Sequence, residues 1–561
     1  MNLMAYLQDT EVLKHKRSIL NQMYMERSSY EATWQDLSKF INPYRGSFDE
    51  LGKRTIGSRR DDKLIDPYPM QAHAKCAAGL HSGLTSPSRP WFELSLQDHE
   101  KAEFHTIKLW LQDCKEIMMD IYAKSNVYNM LQQIEAELSQ FGTGAALLLQ
   151  DFNTAVWCRS FTCGEYAGGV DARGRSCQFA RKFRLLASQM VKEFGIENVS
   201  EAVRSAYESR NYTDYFEVHM LIEENPEYDP EAVKIGNFKW RSYYWEAGGE
   251  KFLKVSGYHE KPFLMPRWTV VANSTYGVGP GHTCLGDCKQ VQKLEKADLR
   301  ILDQLADPAL VVPNGVGTVS RLPGKQTNVP TGTQGQIYPL FSAAGSRQDI
   351  LAKLNEKHQL IATAFYNDLF VMLSQQDNPQ MTAREVAERH EEKLLMLSPV
   401  LEQMHNEVLI PLTKRTFEIC MRNGIFPEMP EEIGSVEELK VEFVSLLAQA
   451  QKMVDTPAIE RTVAFAGNLM VAAPDIMDNL DLDAALRKHA ALNGAPEDIL
   501  RDEAEVKKIR QARAEQLAQQ QQMQQAAAMA KPLKDSVEAA RLLADTPISN
   551  SSPADILMGG A

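Results

Sequence analysis

The segment PALVVPNGVGTVSRLPGKQTNVPTGTQGQIYPLFSAAG, residues 308–345, decides how the rest of this chain is read. It holds 11 prolines and glycines in 38 residues, and only Arg321 and Lys325 are charged. Such punctuation forbids a long helix. The stretch is too long for an idle connection and carries apolar Val311, Val312 and Ile337. Helical patterns flank it, one over about 283–306 and one over 347–373. The second keeps Ile350, Leu354, Ile361, Phe365, Leu369 and Met372 on one face. The spacing therefore predicts a helix running out, a small irregular lobe at its tip, and a helix running back.

Downstream comes a short polar loop, Ser374 to Gln380. Thr382-x-x-Glu385 is a capping box that opens a helical pattern ending at Asn423-Gly424, an αL stop. At ~1.5 Å per residue this pattern spans ~60 Å, and Pro399 and Pro411 are expected to kink it. The last third reads as helical, with breaks at Pro457, Pro474 and Gly494-Ala495-Pro496. A Gln/Ala-rich helix from Ala504 to about Ala530 and a loose tail over 531–561 follow.

Upstream, Leu13, Leu20, Met23, Tyr30, Trp34, Leu37 and Ile41 form one face of a long amphipathic helix, stopped before Pro43. A basic loop, Lys53-Arg54 to Arg59-Arg60, leads to Asp66-Pro67, an N-cap followed by a first-turn proline. A small-residue helix, a short strand at Trp91–Leu94 and helices around 102–124 and 125–141 come next, then the buried-looking strand Ala145–Leu149. From about 145 to 275 short β-rich runs alternate with glycine turns, read as a mixed sheet with one inserted helix. The expected class is α+β, predominantly helical.

The 561 residues suffice for about three to four core-sized units, and 24% charged against 44% hydrophobic residues is an ordinary globular balance. The longest apolar run, Gly144–Leu149, is far short of the ~20 residues of a membrane span, and the N-terminal stretch lacks a signal-peptide core. Neither membrane insertion nor export is expected. Eight scattered cysteines suggest free thiols in a reducing compartment. Net charge is −13, so a nucleic-acid partner would be met through a narrow stripe or without tight grip.

Catalytic signals are missing. Gly324-Lys325-Gln326 lacks the upstream glycine and the hydroxyl of a phosphate-binding loop. His390-Glu391-Glu392 lacks the second histidine of a zinc-protease helix. His282, Cys284 and Cys288, and Cys158 with Cys163, lack the paired spacing of a zinc site. Gly142-Thr143-Gly144 and Gly277-x-Gly279-Pro280-Gly281 read as tight turns rather than phosphate cradles. No enzyme activity, metal or cofactor is expected. A nuclease with scattered acids is the least favoured alternative. One charge pattern stands out: Lys289, Lys293, Lys296 and Arg300 fall within roughly 60° of one another on the helix before the lobe, opposite Val291, Leu294, Ile301 and Leu305.

Several blocks together resemble the head-to-tail connecting (portal) protein family of short-tailed bacteriophages. They are Trp34-Gln35-Asp36-Leu37 with Phe40–Pro43; Asp66; Ala77–Leu84 continued through Thr85-Ser86-Pro87-Ser88-Arg89-Pro90-Trp91-Phe92; Phe141–Gly144; Tyr276–Pro280; Met381–Val386; and Glu407–Leu412. The resemblance covers roughly 30 to 430. It implies a ring, usually of twelve subunits, at one capsid vertex, through which double-stranded DNA enters by a separate terminase and later leaves. It also implies a place in the virion, assembly in the host cytoplasm, and the capsid or scaffolding protein, the terminase and a tail adaptor as partners. On this reading 1–280 is the wing, 281–307 and 347–373 are stem helices, and 308–346 is the clip. Residues 374–381 are the channel loop, 382–440 the kinked wing helix, 441–530 a helical crown and 531–561 the tail. The clip, with Arg321 and Lys325, would dock terminase and adaptor. Gln375, Gln376, Asn378 and Gln380 would offer neutral groups to passing phosphates, and the stripe from Lys289 to Arg300 would line the channel. A plain surface turn at 374–380, a solvated or neighbour-facing stripe, and another phage structural component such as an adaptor or ejected protein remain the competing readings.

Overall fold

The structure, a computed structural model, describes residues 9–48, 60–87, 90–96, 104–211, 213–231, 236–312, 319–320, 324–325, 337–340, 344–374, 399–430, 439–443, 456–470, 480–493, 501 and 505–522. The long first helix, α1 (Thr10–Phe40), starts where Asp9 Oδ1 accepts the backbone N–H groups of Glu11 and Val12 at 3.0 and 3.1 Å. Its apolar face serves two cores. Leu13, Leu20 and Met23 pack with Leu221, Tyr243 and Trp245 of a β-sheet, while Trp34, Leu37 and Ile41 enter the main helical core. Asp66 Oδ1 accepts the Tyr68 N–H at 2.8 Å and starts α2 (Tyr68–Leu84). Strand β1 (Phe92–Leu96), α3 (His105–Lys124) and α4 (Val127–Phe141) follow.

The β region forms two sheets rather than one. Strands β2 (Ala145–Asp151), β3 (Ala155–Phe161) and β9 (Phe263–Leu264) make a three-stranded sheet in the order β3-β2-β9. Strands β4 (Tyr166–Val170), β5 (Ser176–Leu186), β6 (Tyr215–Glu224), β7 (Trp240–Glu246) and β8 (Phe252–Tyr258) make a five-stranded one in sequence order. Their pairings are antiparallel, which corrects the mixed sheet expected from sequence. In the five-stranded sheet each strand pairs with the next one in sequence, even where helices intervene between β5 and β6, whereas β9 returns from more than 100 residues away to pair with β2. Two helices are inserted instead of one: α5 (Ala187–Phe194) and α6 (Glu201–Glu208), separated by Gly195 at φ +85° and restarted by the Ser200 hydroxyl on the Val203 N–H.

After β9 the chain enters α7 (Pro280–Ala306), the strand pair β10 (Leu310–Val311) and β11 (Tyr338–Pro339), α8 (Ala344–Ala364) and α9 (Asn367–Ser374). The returning helix is thus two helices, another correction. Tyr366 adopts φ +55° and turns the chain, yet Ile361, Phe365 and Leu369 stay buried on either side of the break. The apolar period persists across the turn, which is why periodicity alone reads one helix. Residues 375–398 lie outside the described part, and with them the Thr382 capping box.

A helical turn over 399–404 passes into a π segment, His405–Leu409, and then α10 (Ile410–Arg422). The Ile410 N–H bonds the His405 carbonyl, five residues back. Pro411, which has no N–H to donate, is absorbed by this widened turn at the start of α10. A strand, β12 (Leu439–Phe443), pairs antiparallel with β1 from Phe92↔Phe443 to Leu96↔Leu439, where a wholly helical course was expected. Its five residues make sense only against a strand more than 340 positions away. Helices α11 (Thr456–Met470) and α12 (Leu482–Asn493) complete the first of two compact units, which ends at Gly494. The second unit holds a helix over 505–522. Among the described residues no helix is long and apolar enough to cross a membrane.

Candidate functional site

The hairpin of α7 and α8 is the element that the sequence singled out. Its helices are joined by two ion pairs at different heights: Lys357 Nζ to Asp287 Oδ1 at 2.8 Å and Arg347 Nε to Asp298 Oδ1 at 2.9 Å. Cys284, Cys288 and Val291 of α7 are buried, as are Leu354 and Ile361 of α8. At the lobe, Leu310 pairs with Pro339 and Val311 with Tyr338, and the Leu340 N–H donates to the Ala309 carbonyl at 2.7 Å. The lobe's neck is therefore a two-stranded clasp. Lys325 is exposed. Arg321, Gln375, Gln376, Asn378 and Gln380 lie outside the described residues.

The base of the hairpin is clamped onto the segment before α2. Gln292 Oε1 accepts the N–H groups of Ile65 and Asp66 at 2.6 and 2.9 Å, and its Nε2 donates to the Asp66 carbonyl at 2.9 Å. From α8, His358 Nε2 lies 2.6 Å from Asp66 Oδ2, and its ring stacks on Tyr68 at 4.0 Å between centroids. Asp66 is thus more than the helix cap read from sequence; it joins both helices of the hairpin to the N-terminal region.

The basic stripe is only partly as expected. Lys293, Lys296 and Arg300 are exposed, and among the described residues no carboxylate pairs with them. Asp287 and Asp298 turn the other way, onto α8. Lys289 departs from the outward-facing reading: its Nζ lies 2.5 Å from Asp36 Oδ2 and 5.5 Å from the Phe40 ring centre. The first turns of α7 run beside α1, so a residue on the stripe's helical face meets that helix there and solvent farther along.

The glycine motifs are brought together. Gly142 ends α4 at φ +70°, and a Cβ there would lie 2.5 Å from the Gly279 nitrogen and 2.6 Å from the Gly277 oxygen. The two motifs are a backbone-to-backbone contact, with the Trp268 N–H donating to the Gly142 carbonyl at 2.8 Å. The thiols considered for metal are otherwise occupied. Cys284 and Cys288 sulfurs are 3.8 Å apart, with the Cys284 contact and burial pushing the Cys288 thiol up, and His282 Nδ1 accepts the Gly279 N–H at 3.2 Å. Among the described residues no group of three or more histidine, cysteine or acidic side chains is placed to hold a metal ion.

Sequence reasoning passed over several buried charges. Glu137 of α4 accepts from Arg45 at 3.0 Å, the Thr162 hydroxyl at 2.9 Å and the Cys163 N–H at 2.9 Å, while burial raises its pKa. Glu135 beside it meets His81 at 3.1 Å and Thr85 at 3.1 Å, again with its pKa raised by burial. Arg267 bonds Glu407 in the π segment, through its backbone N–H at 2.8 Å and its guanidinium. Glu135 and Glu137 stand amid apolar residues of a helix, the one signal that pointed to them.

Comparison with known proteins bears directly on this architecture. The family model described as bacteriophage head to tail connecting protein matches residues 13–500. A probable portal protein of Bordetella phage BPP-1 is 37% identical over 511 residues, covering 90% of this chain and 91% of that one. The portal protein of Salmonella phage epsilon15 is 35% identical over 544 residues, covering 95% and 97%. Among solved structures, the neck of an empty gene transfer agent particle aligns with TM-score 0.34 and 13% identity over 77% of this chain and 96% of that one, a likeness too slight to bear on the fold. The family match and the two relatives span most of the chain, and the chain belongs to the bacteriophage head-to-tail connecting (portal) protein family.

Proposed function

We propose that this chain forms a ring, of the twelve subunits usual in its family, at one vertex of a phage capsid, and that double-stranded DNA passes through it in packaging and ejection. The role is that of a conduit, with no catalytic step assigned to it. Hairpins repeated around the ring would line the passage, the lobe at their tips would dock the terminase and later a tail adaptor, and the N-terminal region would meet the capsid protein. One observation carries the reading beyond family membership. Lys293, Lys296 and Arg300 form an exposed stripe that, among the described residues, has no carboxylate partner, on a hairpin whose base is clamped by Asp66, Gln292 and His358. Three cations per subunit attract phosphates, while the chain's overall charge of −13 disfavours tight retention of DNA.

Electron micrographs of the purified chain test the first part, with rings having a central hole expected. Glutamates at 293, 296 and 300 test the second: rings should assemble and DNA packaging should fall. Loss of assembly in that variant would instead make the stripe a subunit contact.

A further inference from the structure

The hairpin of β2 and β3 carries large side chains that its own chain leaves uncovered. Phe152 at its tip is 99% exposed, Trp157 is 44% exposed, and Arg159 is exposed. The tip is built, not loose. Asp151 Oδ2 accepts from the N–H groups of Asn153 and Thr154 at 3.0 and 2.8 Å and from the Thr154 hydroxyl at 3.0 Å. An aromatic ring is therefore held out on a fixed turn. Trp157 and Arg159, two residues apart on a strand, project from one face.

Phe161, next on that face, carries two guanidinium groups. Arg159 Cζ lies 5.7 Å and Arg181 Cζ 4.8 Å from its ring centre, and Arg181 is also 4.7 Å from the Phe183 ring. Among the described residues neither arginine has a carboxylate within ion-pair distance. Burial and then the Arg159 charge hold Arg181 down to about 10, while Glu165 attracts it from farther away. The counter-charge has an obvious source: 74 acidic against 61 basic residues put excess carboxylates on every other copy of the chain.

β3 is the edge of its sheet, yet strand addition is blocked along its middle. The Val156 N–H donates to the Thr154 carbonyl at 2.7 Å, and the Thr154 hydroxyl donates to the Val156 carbonyl at 3.0 Å. The Asn126 amide accepts the Cys158 N–H at 2.8 Å and donates to its carbonyl at 2.7 Å. A partner must therefore be met by side chains.

We propose that the outward face of β3, Trp157 and Arg159, together with the hairpin tip at Phe152, is a contact with a second copy of the chain, the aromatics packing on the neighbour and Arg159 pairing with a neighbour's carboxylate. Aromatic residues and arginine are the types that dominate interface cores. A patch that meets a different patch on its neighbour builds a head-to-tail contact, which closes into a ring when the rotation permits. The inference rests on the ring reading above.

The test uses the full chain at matched concentrations, with native mass spectrometry for assembly, circular dichroism for fold, and amide exchange over 152–160. Wild-type rings should protect 152–160 relative to free subunits. Arg159→Glu and Trp157→Ser should each lower ring yield at least tenfold with an unchanged dichroism spectrum, and Arg159→Lys should recover part of it. Arg159 is exposed, so its variant keeps the test decisive should Trp157→Ser unfold. Rings of normal yield from Arg159→Glu, or rings in which 152–160 exchanges as fast as in free subunits, overturn this assignment and leave the ring reading standing; a contact with another virion protein would give that result. A wild-type chain that makes no rings overturns both.

Discussion

His358 Nε2 lies 2.6 Å from Asp66 Oδ2, so one carboxylate fastens the returning helix of the hairpin while its other oxygen accepts the Tyr68 N–H at 2.8 Å and starts α2. Asp66 is buried, so Asp66→Ala leaves the imidazole and the Tyr68 amide without their acceptor. A loss of about 2–3 kcal/mol is expected from equilibrium denaturation. His358→Ala should cost less, because Asp66 keeps its bond to Tyr68. Faster amide exchange at 284–292 in both variants would locate the effect at the hairpin base, and unchanged exchange there would count against a clamp.

The contact between glycine motifs makes a graded prediction. Gly142→Ala places a Cβ against backbone atoms of Gly277 and Gly279, which have no side chain to swing aside, and also requires a left-handed alanine. Roughly 2–4 kcal/mol should be lost. Gly174 has a similar φ of +75° with nothing within 4 Å of its Cβ position. Gly174→Ala should therefore lose only the conformational part, about 1 kcal/mol. Equal losses at the two sites would mean that the contact contributes nothing.

Arg267, which is buried, and Glu407, which is mostly buried, form a pair across 140 positions, and Arg267 also donates to the carbonyls of Ser274 at 3.1 Å and Gly174 at 2.7 Å. Removing either partner alone strands a buried charge, and Arg267→Met or Glu407→Leu is expected to cost about 3–5 kcal/mol. The double variant should lose clearly less than the sum. A double-mutant cycle that closes additively would sink this account.

His73 is fully enclosed: one ring nitrogen meets the Ala136 carbonyl at 2.9 Å, and among the described residues Nδ1 has no partner. Burial lowers its pKa to about 4. Unfolding releases the imidazole to its usual value near 6.5, so between pH 6.5 and 4 the unfolded chain binds a proton that the folded one refuses. Stability is thus fully present above 6.5 and falls by about 1.4 kcal/mol per pH unit below it, from this group alone. His73→Leu should flatten the urea midpoint against pH across that window. An unaltered slope would show that other groups govern the acid limb.

By itself the sequence determined the local order: the apolar face of α1, the cap at Asp66, the hairpin around 308–345 and the αL stop at Asn423-Gly424 are each written within a turn or two of chain. Periodicity and punctuation are short-range properties, so they survive without knowledge of the fold. The break at Tyr366 was invisible because Phe365 and Leu369 keep their phase across it. Strand β12 was equally hidden, since its partner β1 lies far away in sequence. The stripe was legible as a helical face, but that Lys289 meets Asp36 while Lys293, Lys296 and Arg300 face solvent depends on where α1 runs beside α7. The same holds for Glu407, whose partner Arg267 comes from another part of the chain, and for the two glycine motifs, whose meaning lies in touching each other. Tertiary structure alone decided these, because a buried charge or a missing Cβ is explained only by the atom placed opposite it, and folding brings that atom from a distant stretch of sequence.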